Sequence, residues 1–371
     1  MKVTTVSKLS DSHTHVSKLT GQQLVLAKQS YVTRNISIKD IQYLVTSNTP
    51  PMPGDLILAR VDRLGQHKRL ELPDGRRAHL FINDEIIISY GNRYAPDQFL
   101  GEIPTTLEQC SLVAAGGVAS KVISKHANMK APTKITPLGY LASYNKKTIN
   151  LNQYSLPGST SRPQSSKPLI LAVTGSSMNG GKTTTMAFLA KGLIKAGMTV
   201  GAAKVTGTGA GLDSWKMKDA GAYPVIDFTD MGFVSTYKLP TPAIELLMEK
   251  QVHHLTHHGV SIILLEVADG LIQAETAALL QSKLFQTLVD GVLFASAEAL
   301  SAHSAIDWMQ SKNIPLIGIS GALTASPMVL EETKKISSIP IFTKEELDSP
   351  DIYDKLNKLI NKLHPQLLNS Q

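Results

Sequence analysis

Two hydrophobic rhythms divide this chain. In the front half, apolar residues gather in short runs at 56–61, 68–72, 78–81 and 85–90. Pro73-Asp74-Gly75, between the second and third, is a hairpin turn signal. Runs this short and this closely spaced predict strands curled into a small barrel or sheet. Ahead of them, Ser37 is placed to cap a helix over 37–46, and Pro50-Pro51-Met52-Pro53-Gly54 marks a break. In the rear half, apolar runs recur at 169–173, 199–203, 223–227, 261–266, 291–295, 315–319 and 339–342, mostly separated by helix-length segments. Strands alternating with helices predict an α/β fold, a doubly wound and mainly parallel sheet with ligands at the carboxyl ends of its strands. Between the halves, 152–167 is rich in Ser, Pro and Gly and reads as a linker. The expected organisation is a small β-rich N-terminal domain over 1–151, with its core at about 52–110, and an α/β domain over 168–371.

Composition sharpens this only in places. At 42% hydrophobic and 18% charged, the chain can bury a core. No apolar run approaches the ~18–20 residues that span a bilayer, and the first residues lack a signal-peptide centre. No membrane partner and a cytoplasmic location are therefore expected. The single cysteine, Cys110, rules out an internal disulfide, and its neighbours Leu112 and Val113 suit a buried apolar residue. Charge is uneven. Residues 1–167 carry 21 Lys+Arg against 11 Asp+Glu, and residues 168–371 carry 16 against 19. A basic front half can attract an anionic partner, nucleic acid included. Without a run of five like charges, a solvated surface is the stronger reading and nucleic acid is not the favoured partner.

One stretch moves the reading from fold to chemistry. The run at 169–173 leads into Gly175-Ser176-Ser177-Met178-Asn179-Gly180-Gly181-Lys182-Thr183-Thr184, and a helical pattern follows to Gly197. A phosphate needs that order. Loop N–H groups and a helix N-terminus point at the anion, Lys182 reaches the outer phosphates, and the Thr183 hydroxyl can ligate Mg²⁺. Gly175, Ser176, Asn179, Gly180, Gly181, Lys182, Thr183 and Thr184 are the candidate nucleotide-binding residues.

Three more candidates stand at strand ends. Lys204 closes the second run ahead of a glycine-rich loop, where it can contact phosphate or stabilise developing charge. Asp213 follows that loop, as a helix cap or a metal ligand. Glu266 ends Ile262-Ile263-Leu264-Leu265, where a carboxylate is costly unless paired or metal-bound.

The loop from Gly175, with five residues before Gly181-Lys182-Thr183, resembles that of the dethiobiotin synthetase branch of P-loop proteins. Lys204 and Glu266 are similar to that family's second-strand lysine and metal-binding glutamate. Residues 213–222 resemble the metal-contacting Gly-Lys-Asp-Ser-Tyr…Ala-Gly-Ala stretch of the molybdopterin-guanine dinucleotide biosynthesis adapters, which belong to the same superfamily. The likeness covers roughly 168–320. It implies a P-loop NTPase domain that binds ATP, with GTP as the alternative, and Mg²⁺ held through Thr183, Asp213 and Glu266. It implies Lys182 and Lys204 as the catalytic lysines, with Lys204 facing the γ-phosphate or the substrate. It also implies that the loop at 320–324 approaches the nucleotide base. Glu266-Val267-Ala268-Asp269-Gly270 departs from the Glu-Gly-Ala-Gly-Gly of dethiobiotin synthetase and from the adapters' Glu-Gly. Neither family's substrate transfers, and the front domain matches neither family.

The leading reading is an enzyme, ligase-like or a simpler NTPase, that uses a Mg²⁺-nucleotide to activate an anionic or amine-bearing small molecule. A nucleotide-dependent switch or adapter for a protein partner is the second. A nucleic-acid-associated ATPase is the third. A homodimer is compatible with each. Arg93, beside Tyr94, is a candidate to face the sheet's carboxyl edge and enclose an anionic substrate or nucleotide. Asp227 and Asp230 are candidate further acids near the substrate. His13 and His15 sit one residue apart, and His253/His257 and His254/His258 have the i, i+4 spacing that can hold a metal. For the second group, a polar helix end is the stronger reading.

Overall fold

The computed structural model describes residues 14–157 and 167–363. His13 and most of the expected linker lie outside the described residues.

The front half holds β1 (His15–Lys18), α1 (Gly21–Leu26), β2 (Lys28–Gln29), β3 (Tyr43–Thr46), β4 (Leu56–Arg63), β5 (Arg69–Glu71), β6 (Arg77–His79), β7 (Glu85–Tyr90), β8 (Phe99–Glu102), β9 (Cys110–Ala114), β10 (Val118–Lys125) and β11 (Thr133–Ala142). β5 and β6 form the hairpin turned by Pro73-Asp74-Gly75. Pairing among β11, β4, β7, β10 and β9 returns to β11, which closes a small barrel. Along β4 the apolar residues alternate between two cores. Ile57, Ala59 and Val61 join one, and Leu56 and Leu58 join the other. Both faces are covered, so the strand reads as a continuous apolar run instead of a strict alternation. Cys110 is buried on β9, and burial pushes its thiol up to about 12.

Two expectations change here. The β structure is not confined to about 52–110, since its sheet takes in strands from β1 to β11. The helix over 37–46 does not form. Ser37 caps one 3-10 turn, Ile38–Asp40, and β3 follows. β3 pairs with both β1 and β11, and two ladders of backbone hydrogen bonds outweigh a local helical pattern.

The rear half holds β12 (Leu169–Gly175), α2 (Lys182–Lys195), β13 (Val200–Lys204), α3 (Leu212–Asp219), β14 (Val225–Asp227), α4 (Thr241–His257), β15 (Ile262–Gly270), α5 (Ala274–Gln281), α6 (Lys283–Leu288), β16 (Gly291–Ala295), α7 (Ala299–Ser311), β17 (Leu316–Ser320), α8 (Pro327–Ile336), α9 (Lys344–Leu347) and α10 (Ile352–Leu363). The sheet order is β14-β13-β15-β12-β16-β17, and every pairing is parallel. α4 to α7 pack on one face, and α2, α3, α9 and α10 on the other. This is the doubly wound α/β fold. The run at 339–342 does not become a strand. It contributes one isolated bridge, Ile319 to Ile341. Among the described residues, no helix is long and apolar enough to cross a membrane.

Candidate functional site

β12 is buried up to Gly175, and the chain then turns through a loop into α2. The turn needs its glycines. Gly181 precedes α2 with φ 96°, a left-handed conformation that side chains resist. A Cβ on Gly180 would stand 2.7 Å from the Ala295 carbonyl oxygen. The loop is seated on its neighbours. Ser176 N donates to Ala295 O at 3.0 Å, and Ala322 N donates to Gly180 O at 3.1 Å. The segment at 320–324 thus lies against the loop. Ser177, Met178 and Asn179 are exposed. Lys182 is only 5% exposed, and its Nζ folds back to donate to Ser177 O at 2.6 Å. Burial lowers its pKa. The Thr184 hydroxyl accepts from Lys216 Nζ at 2.7 Å.

Thr183, Asp213, Glu266 and Lys204 come together from four elements. Asp213 is the second residue of α3, and Gly211 takes the cap position. Lys204 ends β13 in register with Glu266 on β15. Thr183 Oγ1 lies 2.8 Å from Asp213 Oδ1 and 3.0 Å from Glu266 Oε1. Lys204 Nζ pairs with Asp213. Burial opposes the charge on Lys204, but Asp213 and Glu266 outweigh it and hold its pKa above the usual lysine range. Burial, with Asp213 beside it, pushes Glu266 up to about 7.

The proton count in this cluster is short. Lys204 serves one oxygen of Asp213, the single Thr183 proton is shared between Asp213 and Glu266, and the buried Glu266 Oε2 has no hydrogen-bond partner. Oxygen ligands short of protons suit a hard divalent cation such as Mg²⁺. Among the described residues, no three His, Cys, Asp or Glu side chains gather as a metal site. The set here is two carboxylates and a hydroxyl.

These groups line a cavity of about 430 Å³, and its opposite wall comes from the β-rich half. That wall presents His67, Arg77, Arg93, Tyr94 and Gln98. Tyr94 also packs on Tyr237 across the junction, with ring centroids 5.4 Å apart. Asp269, which the sequence reading passed over, lines the same cavity beside Lys182. Burial raises its pKa. Its place three residues after Glu266, at the end of the same strand, was the available signal.

Asp227 and Asp230 belong elsewhere. Asp227 is buried against the front half, where it accepts from Tyr31 Oη at 2.7 Å and pairs with Arg34 at 3.5 Å. Asp230 pairs with Arg34 at 2.6 Å and accepts from Asn35 at 2.9 Å. They tie the two halves together and do not line the cavity. Glu71 is a second tie. It accepts from Gly211 N at 3.0 Å and Trp215 Nε1 at 2.9 Å, at the start of the helix that carries Asp213. The histidines of α4 and its cap stack pairwise at 4.4 and 4.5 Å, and His258 Nδ1 lies 2.9 Å from His254 O.

No protein-family model matches the chain, and no curated protein matches it. Solved structures match in part. The signal recognition particle receptor FtsY from Elizabethkingia anophelis aligns at 13% identity and TM-score 0.37, over 53% of this chain and 66% of its own. The signal recognition particle 54 kDa protein from Aeropyrum pernix K1, in complex with GDP, aligns at 17% identity and TM-score 0.35, over 58% and 54%. A nucleotide-binding protein from Archaeoglobus fulgidus, in complex with ADP, aligns at 15% identity and TM-score 0.36, over 53% and 86%. The chain thus spans just under two thirds of the receptor's length and about half of the 54 kDa protein's.

Proposed function

We propose that the protein is a Mg²⁺-nucleotide-dependent enzyme that activates a small-molecule substrate in the cavity between its two halves. The carrying observation is that cavity, because one space is lined by Lys182 and Thr183 on one side and by Arg93 and Tyr94 on the other. A site that only bound nucleotide would need no such second wall. Gly175 to Thr184 would cradle the phosphates of ATP, with GTP as the alternative, and Lys182 would leave Ser177 O for the outer phosphates. Thr183, Asp213 and Glu266 would hold Mg²⁺, which supplies charge neutralisation on the phosphates when bound. Lys204, kept protonated by its acidic neighbours, would stabilise negative charge that develops beside the γ-phosphate. The β-rich half would position the substrate and exclude water.

Calorimetric titration of the full chain with MgATP and MgGTP tests this. Lys182→Ala is expected to weaken nucleotide binding tenfold or more, about 1.4 kcal/mol, in a protein that still folds. Unchanged affinity in the variant, or no binding by the wild type, would overturn the reading. A specific contact also favours a switch as second reading. Glu71 of the β-rich half holds the helix that carries Asp213, so occupancy of the site can be felt across the junction. Hydrolysis that no small molecule stimulates, but a protein partner does, would put the switch first.

A further inference from the structure

Arg93 is 6% exposed, yet no ion pair among the described residues involves it. Its side-chain partners are neutral. Nη2 donates to Gln98 Oε1 at 2.8 Å, and Nη1 lies 3.2 Å from His67 Nε2. His67 Nε2 also lies 2.8 Å from Val113 O. One ring nitrogen can accept from Arg93 or donate to Val113, but not both. Nε of Arg93 has no partner. At most two of its five N–H groups are therefore satisfied by neighbouring side chains. The backbone is nonetheless fixed, since Arg93 exchanges two hydrogen bonds with Gly101 at 2.8 and 2.9 Å.

A buried cation with no carboxylate in ion-pair contact is costly. Burial lowers the Arg93 pKa to about 10, and Asp97 and Asp269 only partly offset it. Arg93 and Arg77 line the same wall of the cavity, and among the described residues no carboxylate of the β-rich half lines it. A rigid planar fork with unused donors, on a residue that lines the cavity, matches the geometry of an oxyanion.

We propose that Arg93 anchors an oxyanion of the second substrate, a carboxylate or phosphate group on a small molecule held between the β-rich half and the phosphate loop. This rests on the nucleotide-dependent reading, in which the nucleotide's own phosphates occupy the opposite wall.

The test uses the full chain as wild type, Arg93→Gln and Arg93→Lys. Each is saturated with Mg²⁺ and a non-hydrolysable ATP analogue, then titrated calorimetrically with succinate and, separately, with inorganic phosphate. At least one probe is expected to bind the wild type, and Arg93→Gln to weaken it tenfold or more while the analogue's own affinity stays within about threefold. Tighter binding of succinate assigns a carboxylate substrate, and tighter binding of phosphate assigns a phosphorylated one. The ligand-free melting temperature separates an anchor from a structural role. Removing an unpaired buried charge should leave Arg93→Gln at least as stable as the wild type, and a fall of more than about 4 °C would contradict the proposal. Arg93→Lys keeps the charge without the fork. It should retain part of the probe binding, and it carries the test if Arg93→Gln fails to fold. Three outcomes overturn the anchor: no probe binding by the wild type, equal binding by the variants, or analogue affinity lost in step with probe affinity. A wild type that binds no nucleotide overturns the underlying reading instead, and titration of the nucleotide-free chain with the same probes still decides the role of Arg93.

Discussion

At the scale of single residues, the cavity is organised by protons and charges that do not balance within the protein. His67 shows the consequence for stability. Burial, and Arg93 beside it, lower its pKa from 6.5 to about 4. Between those values the unfolded chain carries a protonated imidazole and the folded chain does not. Folding must then strip a proton, so stability falls as pH drops from about 6.5 towards 4. The contribution is on the order of 2 kcal/mol once partial solvent access is allowed for. Glu266 runs the other way, because its raised pKa favours the folded state as pH falls below about 7. The measurement is therefore a difference. As pH falls from 6.5 to 4, His67→Gln should lose less stability than the wild type, or gain some where Glu266 is left unopposed, and identical slopes would refute the assignment. Lys182, Thr183, Lys204, Asp213 and Glu266 could be picked out beforehand, because each follows an apolar strand or a glycine-rich turn in sequence. Arg93 is a candidate from its place beside Tyr94, but its lack of an ion-pair partner and the suppressed protonation of His67, which meets Arg93 and Val113 from remote segments, have no local signature.

At the scale of elements, the helix α3 is the piece on which both halves act. Its N-terminal turn carries Asp213 towards Thr183 and Lys204, while Glu71 on β5 grips Gly211 N and Trp215 Nε1. Tyr31 adds an edge-on ring contact to Trp215 at 6.1 Å. Glu71 is 1% exposed, so its loss leaves two donors in a buried setting. Glu71→Ala is expected to cost about 1–3 kcal/mol in chemical unfolding. It should also weaken Mg²⁺-dependent nucleotide binding, because Asp213 loses its fixed position. Unchanged nucleotide affinity in the variant would show that the grip is structural alone. The strands of this molecule were easier to read than their order. β4, β7 and β12 announce themselves as apolar runs, as does the hairpin turn between β5 and β6. β10 and β11 contain Lys, Ser and Thr at intervals, since only part of each is covered. β3 carries a helical pattern in its own residues, and its pairing partners, β1 and β11, lie in other segments. Neighbouring residues report propensity, and remote pairing decides the outcome where propensity is weak.

At the scale of the whole molecule, the junction between the halves is built like an interior. Asp227 lies at its centre. Burial pushes this carboxyl up, but Arg34 and Thr229 outweigh it and hold it below the usual carboxylate range. Tyr31 Oη, Arg34 and the Thr229 backbone N–H all converge on it. Val234, from the α/β half, sits in the core of the β-rich half beside Val32 and Val118. Lys238 pairs with Glu102 across the same junction at 2.6 Å. Units joined by buried polar and apolar contacts of this kind should unfold together. Differential scanning calorimetry of the full chain is expected to give one transition, with calorimetric and van't Hoff enthalpies in agreement. Arg34→Leu sharpens the test. It leaves Asp227 and Asp230 without their cation, at a cost of about 3–5 kcal/mol. If the halves are one cooperative unit, the whole transition moves to lower temperature and stays single. If two transitions appear in the wild type, or if Arg34→Leu shifts only part of the heat absorption, the halves are independent domains. The shared cavity would then be open to domain motion, and the fixed second wall on which the proposed activity depends would be lost.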